Sequence, residues 1–593
     1  MYLSYTVRRR KKHRDRRKST LRIETTQSAR AGCEAGDACA LHLRWQSRRR
    51  LCGRIGGCRT SGRRLSNPAG KPKRACAARC VLLDGSLPGM HGGGERRSQA
   101  GLSHGMCGWP HCAKRNDRMS DTCDVLVIGA GPAGTEAALS AAACGLRVVL
   151  VDEAPAAGGQ VYRAPPSTFA GLPATPESRT GDALRRRLAE STVDAHFGHT
   201  VWSVSPDLRV DALAKDGPVS WSARKIIVAT GAQERVVPFP GWTLPGIIGL
   251  AGATILLKSQ RMLPGRRTLV AGQGPLLLAV AAGILKAGGT VAGVVDLASR
   301  GEWLAKSPAF LTRPDLAARG AGWLTRLHGA GVPFFYRHAI RRAVKQDENE
   351  IEVTIGPVDR SGCSIAGNER TFIVDAVAVG NGLVASTDVT RLLRADHAFD
   401  EARGGWIPRI DADFRTSIAG LYTVGDGTGI AGAAAAALNG RLAGLVAARD
   451  LGALSGEAYE EKSAPLRRSA KRALGFGGAM AGLMALRPGQ IKSIAEDAVV
   501  CRCEDVTRRD IDLAFADGAR SANQLKAWTR CGMGPCQGRI CGDIASALLA
   551  QATGQHPRSG MFTGRTPFRP LPLAQLLEPV DYSELKLPPP APL

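Results

Sequence analysis

The sequence predicts an α/β protein, with parallel sheets covered by helices and a small helical module toward the C-terminal end. Three observations carry that expectation. After Met119, short β-branched runs alternate with Ala/Leu-rich helical patterns. The order apolar strand, G-x-G loop, alanine-rich helix, glycine, second strand, acid occurs twice, at Val125–Glu153 and Leu269–Asp296, which reads as two Rossmann-like dinucleotide-binding domains. Cysteines then gather between Cys501 and Cys541, flanking two short helical patterns at Asp510–Ala516 and Asn523–Trp528.

A chain of 593 residues suggests about three or four domains at roughly 150 residues each. The net charge of +28 resembles that of a nucleic-acid binder, but residues 1–118 hold 28 Lys/Arg against 7 Asp/Glu, so the rest of the chain carries only +7. That basic segment shows no sustained period and no aromatic or base-reading motif, so a nucleic-acid role is set aside and residues 1–118 are read as a disordered extension or a mis-assigned start. The remaining expected boundaries are 119–243 for the first part of the first dinucleotide domain, 244–365 for the second, and 366–452 for the return to the first. A connecting segment follows at 453–495, the cysteine module at 496–545 and a tail at 546–593. No apolar run reaches the roughly 18 to 20 residues of a membrane span, and no signal-peptide pattern opens the chain. The expectation is a cytoplasmic protein, where clustered cysteines read as metal ligands rather than disulfides.

In the first loop, Val125–Ile128 leads into Gly129-Ala130-Gly131-Pro132-Ala133-Gly134. Gly129 permits the turn, Gly131 lets the backbone approach a pyrophosphate, Pro132 suits the first helical turn, and Gly134 lets the helix pack close to the strand. The helix start offers free N–H groups and the positive end of its dipole to phosphate. Asp152 and Glu153 both stand at the distance where an acid meets the adenosine ribose, and spacing does not choose between them. Gly159, Gln160 and Arg163 follow in Gly-Gly-Gln-Val-Tyr-Arg. The second loop offers Gly272 and Gly274 with Asp296 as its acid, but Leu277 replaces the third glycine. It is read as a site for NAD, for another adenine nucleotide, or as an empty vestige.

Two further segments complete the pattern. Ile226–Val228 ends in Ala229-Thr230-Gly231, and Leu421–Val424 ends in Gly425-Asp426 before an alanine-rich helix. Together these motifs resemble the glutathione-reductase-type fold, which implies bound FAD and a contact from Asp426 to its ribityl or phosphate region. No C-x-x-C or C-x₄-C lies between Met119 and Val500, so a flavin-coupled disulfide is not expected.

Cys501-Arg502-Cys503 and Cys536-Gln537-Gly538-Arg539-Ile540-Cys541 supply four thiolates in the pattern C-x-C…C-x₄-C, soft anionic ligands suited to iron–sulfur sites. Structural zinc is the competing reading. Cys531 is a fifth cysteine able to replace Cys536 or Cys541, and is taken as spare. The Gly-Met-Gly-Pro-Cys-Gln-Gly-Arg-x-Cys run at Gly532–Cys541 resembles the bacterioferritin-associated-ferredoxin-like [2Fe–2S] domain, which implies Cys501, Cys503, Cys536 and Cys541 as ligands. With the glycine loops, Ala229–Arg235 and Pro238–Ile247, essentially all of Met119–Leu593 resembles the α subunits of opine oxidases, D-hydroxyproline dehydrogenases and hydrogen cyanide synthase. The resemblance implies a separate flavoprotein β subunit, D-amino-acid-oxidase-like, that takes an amine or amino-acid substrate while this chain carries electrons onward. No general base stands out, and the catalytic residues stay unassigned. A self-sufficient NADH-dependent flavin reductase is the alternative enzyme.

Overall fold

The structure is a computed structural model describing residues 121–166, 175–554 and 560–575. The expected basic extension 1–118 and much of the tail, residues 555–559 and 576–593, lie outside the described residues.

Val125, Leu126 and Val127 are fully buried in the strand Asp121–Ile128, as a β-branched run covered on both faces must be. That strand lies between Val148–Asp152 and Gly217–Val228, parallel to both, with Asp194–Phe197 beyond Val148–Asp152. On its far edge, the first half of Gly217–Val228 pairs with the antiparallel hairpin Thr200–Val204 and Arg209–Ala214, and its last residues pair with Leu421–Thr423. The helices Pro132–Ala142 and Ala433–Asp450 cover the sheet in close contact. A Cβ on Gly440 would lie 2.1 Å from the Ala133 carbonyl oxygen, so the small residues of the later helix are what allow the approach.

A second, wholly parallel sheet runs in the order Phe334–Tyr336, Thr290–Asp296, Arg267–Gly272, Ala376–Gly380, Ile247–Gly249. The antiparallel sheet His338–Lys345, Ile351–Pro357, Arg370–Val374 packs beside it. The expected crossing at residue 366 is corrected by this topology. Residues 358–369 join two strands of one antiparallel sheet, and Ala376–Gly380 is a central strand of the second parallel sheet. The chain leaves the first unit through Ala232–Glu234 and re-enters it through Leu383–Ala385, and these two strands pair antiparallel with each other.

The expected connecting segment 453–495 is largely one helix, Gly456–Leu483, begun by a Ser455 cap whose hydroxyl accepts the Ala458 N–H. The cysteine module has its own core of Ile511, Ala514, Leu525, Ile544 and Leu548 around Cys501, Cys531 and Cys541. Its helices Arg508–Ala516 and Ala522–Thr529 start at Thr507 and Ser521 capping boxes. The module does not stop at residue 545, because the helix Gly542–Thr553 continues and Phe562 packs against Gly532 and Gly538. Among the described residues, no helix is long and apolar enough to cross a membrane.

Candidate functional site

The three glycine-bearing motifs of the first unit converge. A Cβ on Gly129 would lie 2.5 Å from the Ala229 carbonyl oxygen, one on Gly134 would lie 1.8 Å from the Gly129 carbonyl oxygen, and one on Gly425 would lie 2.8 Å from the Ala133 methyl. Gly129 has φ +101°, a turn that glycine adopts without strain. Thr230 donates its hydroxyl to the Ser386 carbonyl, and Gly231 lies beside Gly427 in the Gly425–Thr428 turn. The first loop, the Ala-Thr-Gly strand end and the Gly-Asp turn therefore form one cleft.

Above Gly131 that cleft is open, since the nearest atom to a Cβ there is the Gly159 Cα at 4.0 Å. Asp152 accepts the backbone N–H groups of Ala130 and Ala154, and burial raises its pKa. Glu153 points outward with its side chain 59 % exposed and pairs with Arg569, so of the two acids only Asp152 reaches the loop. Arg163 donates to Gln160, yet its Nε is buried without a partner among the described residues. Asp426 accepts the N–H groups of Ala431 and Gly432, and its burial pushes its pKa up. Open space above Gly131, a buried carboxylate bound to the loop backbone and a guanidinium N–H without a partner among the described residues fit a dinucleotide such as FAD.

The second loop differs. Gly272 abuts Gly380, and the position above Gly274 is filled by Met484, whose Cγ would lie 2.5 Å from an added Cβ. Gln273 donates its Nε2 to the Met484 carbonyl at 2.9 Å, holding that segment in place. Leu277, at the third glycine position, is fully buried in the core of the second unit. Asp296 accepts the Ala298 N–H and the Trp303 indole N–H, and burial raises its pKa to about 6. Beside the loop is an apolar cavity of about 830 Å³, bordered by Asp296, Trp303, Phe310, Leu324, Phe476 and Met484.

The cysteines form two groups. The sulfurs of Cys501, Cys531 and Cys541 all lie within 4.8 Å of one another and are buried. Cys503 and Cys536, more exposed, interact with each other. The neighbouring Cys531 and Cys541 thiols and the Gly532 and Glu504 N–H groups hold Cys501 low, while those two thiols are pushed up by sharing with it. Cys531, taken from sequence as spare, is thus part of the buried trio, since Cys531 is itself fully buried beside Cys501 and Cys541. Spacing could not reveal which thiol turns inward.

Two part-buried ion pairs bolt the module to the first unit. Arg235 donates Nε to Asp543 at 2.7 Å, and Arg539 donates Nε to Asp388 at 2.9 Å, where the surrounding arginines keep the Asp388 carboxylate below its usual range despite burial. Sequence reasoning gave these four residues no role. The one available hint was charge in apolar company, as in Arg235-Val236-Val237-Pro238.

Comparison with known proteins agrees with this architecture. Residues 123–441 match the family described as pyridine nucleotide-disulphide oxidoreductase, and residues 495–577 match the sarcosine oxidase A3 domain. An opine oxidase subunit from Agrobacterium tumefaciens (strain Ach5) is 34% identical over 477 residues, covering 77% of this chain and 92% of that protein. The hydrogen cyanide synthase subunit HcnB of Pseudomonas aeruginosa is 34% identical over 465 residues, covering 76% and 97%. The crystal structure of L-proline dehydrogenase from P. horikoshii superposes with a TM-score of 0.55 at 20% identity, covering 77% of this chain and 80% of that one, a likeness of fold. The chain belongs to the FAD-dependent pyridine nucleotide-disulphide oxidoreductase family, is related to the subunits of opine oxidase and hydrogen cyanide synthase, and carries a C-terminal cysteine cluster able to hold metal.

Proposed function

We propose that this chain is the electron-transferring flavoprotein subunit of a heteromeric amino-acid, opine or hydroxyproline dehydrogenase, with FAD in the cleft of the first unit and a [2Fe–2S] cluster on Cys501, Cys503, Cys536 and Cys541. The observation that carries the reading is the gathering of Cys501, Cys531 and Cys541, with Cys503 and Cys536 paired, in one module bolted by part-buried ion pairs to the flavin unit. When bound, FAD supplies two-electron chemistry and the cluster one-electron chemistry, while the protein supplies position and electrostatics.

On this reading Gly131 and the N–H groups opening the helix Pro132–Ala142 would seat the pyrophosphate, Asp152 would face the adenosine ribose, and Asp426 and Arg163 would orient the rest of the molecule. Cys501, Cys503, Cys536 and Cys541 would hold the cluster, and Cys531 stands beside Cys501 and Cys541. Relatives named as subunits of opine oxidase and of hydrogen cyanide synthase support a partner, which we take to be a flavoprotein β subunit, D-amino-acid-oxidase-like, holding the amine substrate. A cytoplasmic location accords with eight described cysteines that are all free.

A self-sufficient NADH-dependent reductase is the second reading, favoured by the cavity beside the second loop, where NAD or another adenine nucleotide would lie. Anaerobic mixing of the purified chain with NADH separates the two. Flavin that stays oxidised until the partner and its amine substrate are added supports the relay, and prompt bleaching by NADH alone defeats it.

A further inference from the structure

We infer that Arg235 is the positioning residue that sets the cysteine module, and with it Cys541, against the flavin cleft; the inference rests on the electron-relay reading and refines it. Arg235 ends the pairing of Ala232–Glu234 with Leu383–Ala385, six residues after Ala229, whose carbonyl packs on Gly129 of the first loop. Its backbone N–H is tied to the Gly382 carbonyl at 3.0 Å, so the start of the side chain is fixed on the flavin unit.

The guanidinium is only 2% exposed and forks. Nε reaches the Asp543 carboxylate at 2.7 Å, and Nη1 reaches the Met484 carbonyl at 3.3 Å. Asp543 lies in the first turn of the helix Gly542–Thr553, where an acid complements the helix dipole, and Cys541 is the N-cap of that helix. Met484 is the residue that covers Gly274, and its carbonyl also accepts from Gln273. One planar cation therefore touches the flavin unit, the helix that begins at a cluster cysteine and the segment closing the second loop. A guanidinium withdrawn from water this fully stays charged, and leaving that charge without its partners is costly, so the three segments are constrained together. The other bolt, Arg539 to Asp388, joins only two of them.

The test uses the full chain, purified anaerobically, with FAD and iron per chain measured first. Variants are Arg235→Met, Arg235→Lys, Asp543→Asn and the double variant Arg235→Met with Asp543→Asn. We expect Arg235→Met to retain both cofactors, to raise backbone hydrogen exchange in residues 484–492 and 542–553 but not in 132–142, and to slow single-turnover electron arrival at the cluster, followed by its paramagnetic signal, by roughly 10-fold or more. Arg235→Lys, which keeps the charge and loses the fork, should fall between, and the double variant should add little to Arg235→Met. Unchanged exchange and transfer in Arg235→Met, or additive effects in the double variant, overturn the assignment, as does loss of either cofactor in Arg235→Lys. A wild-type chain without iron sinks the relay reading instead, and the exchange pattern still judges Arg235 on its own.

Discussion

The two glycine loops are built alike, each a buried parallel strand turning through G-x-G into an apolar helix, but the space above the second glycine is open at Gly131 and occupied by Met484 at Gly274. The acids differ in the same sense. Asp152 binds the backbone of its own loop, whereas Asp296 is engaged by the Trp303 indole and the Ala298 N–H. The shared motif specifies a turn. Whether that turn receives a ligand depends on segments hundreds of residues away, because only tertiary packing decides what covers it.

The sharpest way to break the comparison is to crowd each loop at its third position. Gly134→Val places a Cβ 1.8 Å from backbone in the first loop, so we expect complete loss of bound flavin and failure of the first unit, read from flavin absorbance per chain and a denaturant melt. Leu277→Gly restores three glycines to the second loop, leaves flavin in place and costs about 2–5 kcal/mol through the cavity it opens. Next in size, Cys501→Ser should abolish iron retention while flavin stays at wild-type occupancy, measured by iron assay and absorbance.

Acid should then separate the units. Burial lowers the His397 pKa to about 4, so between pH 6.5 and 4 the unfolded chain binds the extra proton and the first unit loses stability as pH falls, by roughly 3 kcal/mol at the limit. In the second unit Asp296 is raised to about 6, so there the native state holds the extra proton and stability is gained as pH falls from about 6 toward 4. Hydrogen exchange at pH 7 and pH 4.5 should show the sheet around Asp121–Ile128 weakening relative to Arg267–Gly272. Equal weakening contradicts this assignment. Smallest, Met484→Ala uncovers Gly274 and should tighten NADH binding about 10-fold, near 1.4 kcal/mol by calorimetry.

What the sequence disclosed follows the range of each signal. Gly129, Gly131, Gly134 and the strand before them were legible because strand, turn and helix are local, and the helices around the cysteines because a helical pattern is local too. Asp152 and Glu153 were indistinguishable because adjacent strand-end residues differ only in which way they point. The boundary near 366 was misplaced because residues 358–369 carry turn composition that a loop between paired strands and a domain crossing share, while the real return occupies only Asn381-Gly382 before Leu383. Cys531, Met484 and Arg235 drew their roles from partners distant in sequence, such as Arg235 and Asp543 at a separation of 308.

The most direct measurement is the cofactor content of the chain expressed alone and purified without oxygen. The account predicts about one FAD with about two irons and two acid-labile sulfides per chain, the iron lost and the flavin kept in Cys501→Ser. Flavin without iron and sulfide, or zinc in their place, contradicts it.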